Sequence, residues 1–222
     1  MNVLLVNGSP RKNFNTAKLL NKALEGAISA GADVEIINLY DYTFQGCLSC
    51  FACKIKSSKT NGLCAHKDEL KPILAKAQKA DVIILGTPVY YDYPTAQMRA
   101  FMERFMFPVD TYMINPETQE RIRFLDKIVT TGIIYTMNCP EFLMKKIDYP
   151  TILNANGNAL NRLFGYCETL YSYDTYQYTD YTKYACNIFD EKVKAEIKKR
   201  QFPLDCEKAF AMGKKLVEMV TN

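Results

Sequence analysis

Tryptophan is absent from the 222 residues, and histidine occurs once, as His66. With a single imidazole and no evident carboxylate pair, there is little on which to build side-chain acid–base catalysis. No apolar run approaches the roughly 20 residues that a membrane-spanning helix needs. Neither the Walker lysine pattern nor the GxGxxG fingerprint occurs, so no motif points to ATP or a dinucleotide. The net charge of +4 comes without a Lys/Arg-dense stripe, which leaves no argument for nucleic acid. No basic segment followed by the apolar core of a signal peptide is seen, so a cytoplasmic setting is expected. The eight cysteines would then stay reduced, free to bind metal or to pack. A chain of this length with nearly half its residues apolar suits one globular domain over 1–222.

What is present is organised around the first stretch. The aliphatic run Val3–Val6 ends in the polar turn Asn7–Thr16, and a helical pattern opens at once with Ala17, Leu20, Leu24, Ala27 and Ile28 on its apolar face. Such a strand–turn–helix unit can aim backbone N–H groups, hydroxyls and the helix N-terminus at a phosphate. Gly31 marks the helix stop, and Val34–Ile37 reads as a second strand, completing the length of one βαβ unit. Asp68 to Ala80 reads as a helix and Val82–Leu85 as a third buried strand, running into a loop at Gly86–Pro94. Met98, Phe101, Met102 and Phe105 give the next helix its inner face, with Arg99, Glu103 and Arg104 opposite. Residues 107–126 read as an irregular connection, Lys127–Ile134 as a fourth strand, and 138–165 as an irregular insertion mixing loop and helix. Cys167–Tyr173 supplies a fifth strand, and two helices finish the chain, Asp190–Arg200 and Asp205–Val220. Alternating aliphatic strands and amphipathic helices indicate an α/β domain, a doubly wound parallel sheet covered on both faces. The loops after the strands, Ser9–Thr16, Cys47–Cys64, Pro88–Pro94 and Tyr135–Asn138, should therefore meet at one sheet edge.

Three motifs carry a resemblance. Gly8-Ser9-Pro10-Arg11 with Asn15-Thr16 resembles a GSPRxxGNT phosphate loop. Gly86-Thr87-Pro88-Val89-Tyr90-Tyr91, followed by Ala96–Phe101, resembles a second flavin loop, and Gly46-Cys47-Leu48-Ser49-Cys50 with Cys53 and Cys64 resembles a GCxxC–C–GxC segment. Together, over roughly residues 1–138, they resemble the flavodoxin-like NAD(P)H-dependent FMN reductase superfamily, its iron–sulfur flavoprotein branch in particular. The resemblance implies a five-stranded sheet of order 2-1-3-4-5. It implies that Ser9, Arg11, Asn15 and Thr16 hold the FMN phosphate, and that Pro88, Val89, Tyr90 and Tyr91 contact the ribityl chain and ring. Tyr135, Thr136, Met137 and Asn138 would flank the ring. One departure is Phe14, which stands where the family often has Gly; a positive φ there would be costly for Phe.

Cys47, Cys50 and Cys53 have the C-x2-C-x2-C spacing of cuboidal cluster sites, and Cys64, beyond ten intervening residues, is the candidate fourth ligand of a 4Fe–4S cluster. Three readings stay open: a cluster, a clusterless packing loop, and zinc or redox thiols. Cys139, Cys167, Cys186 and Cys206 are isolated and read as small buried hydrophobes, and His66 as a surface residue at a helix entry. The tyrosines between Tyr166 and Tyr184 have two readings, a solvent-facing strand and loop or, preferred, a subunit interface in a homodimer or homotetramer, and the Lys194–Arg200 charge run reads as a solvated helix face. The function implied is an FMN-dependent oxidoreductase that takes hydride from NAD(P)H and passes electrons to a small acceptor: a quinone, flavin, nitro or azo compound. The flavin carries the chemistry, so no catalytic side chain is required. The alternative is an electron carrier fed by ferredoxin through the cluster.

Overall fold

The computed structural model describes every residue except Ser58 and Asp126, which fall in the cysteine loop and at the end of the 107–126 connection, and Asn222. In chain order the elements are β1 (Asn2–Asn7), α1 (Asn15–Ser29), β2 (Asp33–Asn38), α2 (Leu70–Lys79), β3 (Val82–Tyr90), β4 (Tyr93–Pro94), α3 (Ala96–Met106), β5 (Asp110–Ile114), β6 (Arg121–Arg123), β7 (Val129–Thr136), α4 (Glu141–Lys146), α5 (Tyr149–Phe164), β8 (Gly165–Ser172) and α6 (Glu191–Thr221). The main sheet runs β2-β1-β3-β7-β8, all parallel, which is the expected 2-1-3-4-5 order once the short hairpin strands are set aside.

Strand alternation divides the core in two. Leu4, Val6, Ile83, Leu85 and Ile133 face α2, α3 and α5, while Val3, Leu5, Val82, Ile84 and Ile134 face α1 and α6. Register aligns Asn7 with Gly86, Pro88 with Thr136, and Thr136 with Ser172, so the carboxyl ends of four strands share one edge. Gly31, at φ +83°, turns the chain out of α1 as anticipated.

Four segments depart from the sequence reading. The strand read as Val82–Leu85 continues to Tyr90, because pairing with β7 persists to Pro88 and a tight turn folds β4 back onto Val89 and Tyr90. The connection at 107–126 contains the β5–β6 hairpin, whose turn is shaped by the Asn115 carboxamide oxygen accepting from the Glu117 and Thr118 amides. The insertion at 138–165 is helical: α4 and then α5, the crossover helix that returns the chain from β7 to β8 and buries Leu153, Leu160 and Leu163 against the sheet. The two terminal helices are one, α6, with Pro203 inside it. A proline there removes a backbone hydrogen bond and costs about 3 kcal/mol in a helix interior. Across that gap the Gln201 side chain donates to Asp205 (2.8 Å), and Asp205 also accepts from Ser172 Oγ on β8 (2.7 Å), tying both halves to the sheet.

Candidate functional site

The turn after β1 is shaped by its own short polar side chains. Asn7 Oδ1 accepts from the Ser9 amide (3.0 Å), and Ser9 Oγ accepts from the Arg11 amide (3.1 Å). The Gly8 amide donates to the Gly86 carbonyl (2.7 Å), and the Gly8 carbonyl accepts from Thr95 Oγ1 (2.7 Å), the N-cap of α3. Phe14 sits at φ −112°, so this position needs no glycine, and the departure from the GSPRxxGNT pattern is unstrained. Its ring lies 3.3 Å beneath the Arg11 guanidinium. Phe14, at the N-cap of α1, makes no side-chain cap hydrogen bond, and the first-turn amides of the helix face the turn.

Ser9, Arg11, Asn15 and Thr16 from this turn, Pro88, Val89 and Tyr90 from β3, and Thr136, Met137 and Asn138 after β7 line one pocket at the carboxyl edge of the sheet. The Thr16 and Thr136 hydroxyls meet at 2.7 Å, buried, joining the first and third loops. Asn138 lines this pocket, and its Oδ1 is buried with no hydrogen-bond partner among the described residues.

Two of the expected residues lie elsewhere. Tyr91, at φ +45° in the β3–β4 turn, is 97% exposed and outside the pocket lining. Tyr135 is fully buried on the opposite face of β7, where strand alternation sends it toward α5. Its hydroxyl donates to the Leu153 carbonyl (3.2 Å) and accepts from Asn156 Nδ2 (3.2 Å), and its ring stacks on Tyr171, which stacks on Tyr173.

Phe14 also lines the pocket, and Thr175 and Gln177, which local sequence did not single out, complete it. Arg11 Nη1 donates to the Gln177 carbonyl (2.7 Å) and Asn15 Nδ2 to the Tyr176 carbonyl (2.9 Å), so the tyrosine-rich segment after β8 folds over the turn as a strap. Its tyrosines pack largely on one another: Tyr178 stacks on Tyr184, and Tyr181, buried, meets Tyr176 and Tyr178. The charge run is not wholly solvated. Lys194 is buried, and its ammonium donates to the Asn138 carbonyl and pairs with Asp174, pinning the pocket wall to the start of α6. Backbone bonds from Thr175 to Met137 (2.9 Å) and from Asp174 to Cys139 (3.0 Å) reinforce the same wall.

Burial pushes the Tyr135 hydroxyl up, and pushes that of Tyr171 up to about 12. Unfolded tyrosines ionise near pH 10. The folded state therefore keeps these protons where the unfolded state would lose them. This contribution to stability is complete below pH 10 and is lost as the pH rises toward 12. Titration followed by tyrosinate absorbance should show a delayed step coincident with alkaline unfolding. Tyr171→Phe should shrink that delayed step.

Cys47, Cys50, Cys53 and Cys64 line a second, smaller pocket together with Phe51, Phe107 and His66. Ser49 and Phe51, between these cysteines, both adopt left-handed backbone (φ +50° and +56°), which concentrates strain in this turn. Cys53 is buried, and burial pushes its thiol up. Four thiols on one pocket are a donor set suited to a soft metal centre. As the side chains stand, no group of three or more His, Cys, Asp or Glu among the described residues is arranged to hold a metal ion. Arg104, expected on the polar face of α3, is instead 2% exposed beside this pocket. Burial opposes its charge, and the Asp68 carboxylate and the neighbouring Cys64 thiol outweigh that effect and hold it protonated.

Residues 1–129 match the family described as NADPH-dependent FMN reductase. An iron–sulfur flavoprotein of Methanocaldococcus jannaschii is 38% identical over 104 residues, which is 47% of this chain and 51% of that protein. One from Archaeoglobus fulgidus is 34% identical over 134 residues, 60% of each. The matched region thus spans about half to three fifths of the length of these relatives. Among solved structures, an azoreductase from Bacillus anthracis superposes with a TM-score of 0.65 at 12% identity, covering 97% of this chain and 99% of its own. An NAD(P)H:quinone oxidoreductase from Methanothermobacter marburgensis gives 0.61 at 13%, covering 97% and 96%. At such identities these two likenesses speak for the fold.

Proposed function

Because the chain belongs to the NADPH-dependent FMN reductase family, we propose that it is a single-domain FMN-dependent oxidoreductase that takes hydride from NAD(P)H and passes electrons to a small acceptor such as a quinone, flavin, nitro or azo compound. The observation that carries this reading is the gathering of three segments at the carboxyl edge of the sheet onto one pocket, with the N-terminus of α1 at one end and a lining residue, Asn138, whose Oδ1 has no partner among the described residues. These features fit FMN: a dianion suits the α1 amides with the Ser9 and Thr16 hydroxyls, and a ring N–H suits Asn138 Oδ1. Bound there, FMN supplies the hydride-accepting and electron-donating chemistry. The chain's own part is to hold and shield. Arg11 and Asn15 tie the strap over the turn, Pro88, Val89 and Tyr90 form one wall, and Thr136 to Asn138 form the other. Assembly as a homodimer or homotetramer in the cytoplasm belongs to the same reading and is checked by light scattering of the purified protein.

The second reading, an electron carrier fed by ferredoxin through a 4Fe–4S cluster, is favoured by the four cysteines on one pocket. It is also favoured by relatives whose names are iron–sulfur flavoprotein. Cys47, Cys50, Cys53 and Cys64 would hold the cluster.

Anaerobically purified protein, supplied with FMN and titrated with NADPH or NADH, should show flavin bands that bleach rapidly. Bleaching only by reduced ferredoxin, with iron and sulfide present, would favour the second reading, and failure to bind FMN would sink both. A hydrogen bond to a charged group is worth about 1.5–3 kcal/mol, so Thr16→Val should weaken FMN binding by about tenfold or more in a fluorescence-quenching titration.

A further inference from the structure

Arg104 sits in the last turn of α3, and its guanidinium reaches three residues of two segments at once. Nη1 and Nη2 bind the Asp68 carboxylate as a fork (2.5 and 2.8 Å), Nη1 also donates to the Gln45 carbonyl (3.0 Å), and Nη2 donates to the His66 carbonyl (3.3 Å). Gln45 immediately precedes the cysteine loop 46–64 and His66 follows it. One buried side chain therefore closes the loop at its base. The preceding residue continues the pattern, since Glu103 Oε2 accepts from the Cys47 amide (3.1 Å). Arg104 also lines the thiol pocket, and its Nε is buried with no partner among the described residues, a free N–H donor beside four thiols.

We infer that Arg104 is the positioning residue of the cysteine site: by fixing entry and exit of the loop to one point on α3, it brings Cys47, Cys50, Cys53 and Cys64 to a common pocket. The physical reason is loop closure. A long polar loop gathers distant side chains only against its conformational entropy, and a clamp at the base removes much of that cost. Lysine could not replace it, because a single ammonium cannot span a carboxylate and two carbonyls with the geometry of a planar fork. Helix α3 is moreover held at its other end to the first site through Thr95 and Gly8, so the two pockets share one rigid support. This inference rests on reading the four thiols as one site.

The test compares wild type, Arg104→Lys and Asp68→Asn, each purified anaerobically. FMN content per chain serves as the folding control, because neither residue lines the FMN pocket. The readouts are the iodoacetamide labelling rate of Cys53 relative to Cys206, by mass spectrometry, and the iron-to-FMN ratio. Arg104→Lys should retain FMN and raise relative Cys53 labelling at least tenfold, with a smaller rise for Asp68→Asn. Where wild type carries iron, the iron-to-FMN ratio should fall at least fivefold in Arg104→Lys. Unchanged labelling and unchanged iron in either FMN-containing variant would overturn the inference. A wild type without iron whose Cys53 is nonetheless deprotected by the variants would leave the clamp standing and count against the cluster alone.

Discussion

Gly213→Ala is expected to lower the melting temperature by about 6–12 °C, one of the two largest effects anticipated here. At Gly213 a Cβ would lie 1.9 Å from the Ala23 carbonyl oxygen, and at Gly26 one would lie 2.0 Å from the Phe210 carbonyl oxygen. Helices α1 and α6 thus touch backbone to backbone, with no flexible side chain between them to yield. Overpacking ordinarily costs about 1–3 kcal/mol, and a backbone obstacle belongs at the upper end. For a domain of this size each kcal/mol moves the midpoint by about 2–4 °C. Gly31→Ala is the control: that position has open space and only a positive φ to oppose a side chain, so about 1–2 kcal/mol is expected. Thermal unfolding followed by circular dichroism measures both. Equal shifts for the two variants would show that the helix contact is looser than this packing implies.

Lys194→Met should both destabilise the protein and weaken its hold on flavin. The substitution leaves Asp174 without its partner and the Asn138 carbonyl without a donor. Removing one member of a buried ion pair costs about 3–5 kcal/mol, here a midpoint lower by roughly 6–20 °C. Since Asn138 lines the pocket, FMN affinity should also fall by about tenfold at a temperature where the variant is folded. Lys199→Met, on the exposed side of the same helix, should change neither within about 0.5 kcal/mol. A Lys194 variant with normal FMN affinity would mean that the pocket wall holds its shape through the backbone bonds of Thr175 and Asp174 alone.

The two lysines show where sequence reading stops. Lys194 and Lys199 stand in one basic run, and nothing local distinguishes the one that α6 turns inward beneath Asn138. The same holds for Arg104: its neighbours on α3 follow the three- and four-residue periodicity, and its burial becomes intelligible only when Asp68, Gln45 and His66 arrive from another part of the chain. Tyr135 follows from strand alternation once β7 is known to pack against α5, a helix that the polar, asparagine-rich stretch 154–161 concealed. The two terminal helices read from the sequence are one, and the continuation of α6 through Pro203 reflects contacts with β8 and α1 that no window of sequence contains.

Other features needed no partner to be legible. Aliphatic runs of strand length, amphipathic helices between them and polar turns after them carry their own period. That is enough for a doubly wound parallel sheet whose strand-following loops share one edge. The Ser-Asn-Thr turn ahead of α1 and the C-x2-C-x2-C spacing are likewise chemistry written within a few adjacent residues. The tertiary structure decided which side chains face the pocket, which charges are buried as clamps, and which segment after β8 folds over the turn. Those outcomes depend on long-range burial and pairing, and a charged residue's sequence neighbours do not say whether a carboxylate or a carbonyl will meet it in the folded chain.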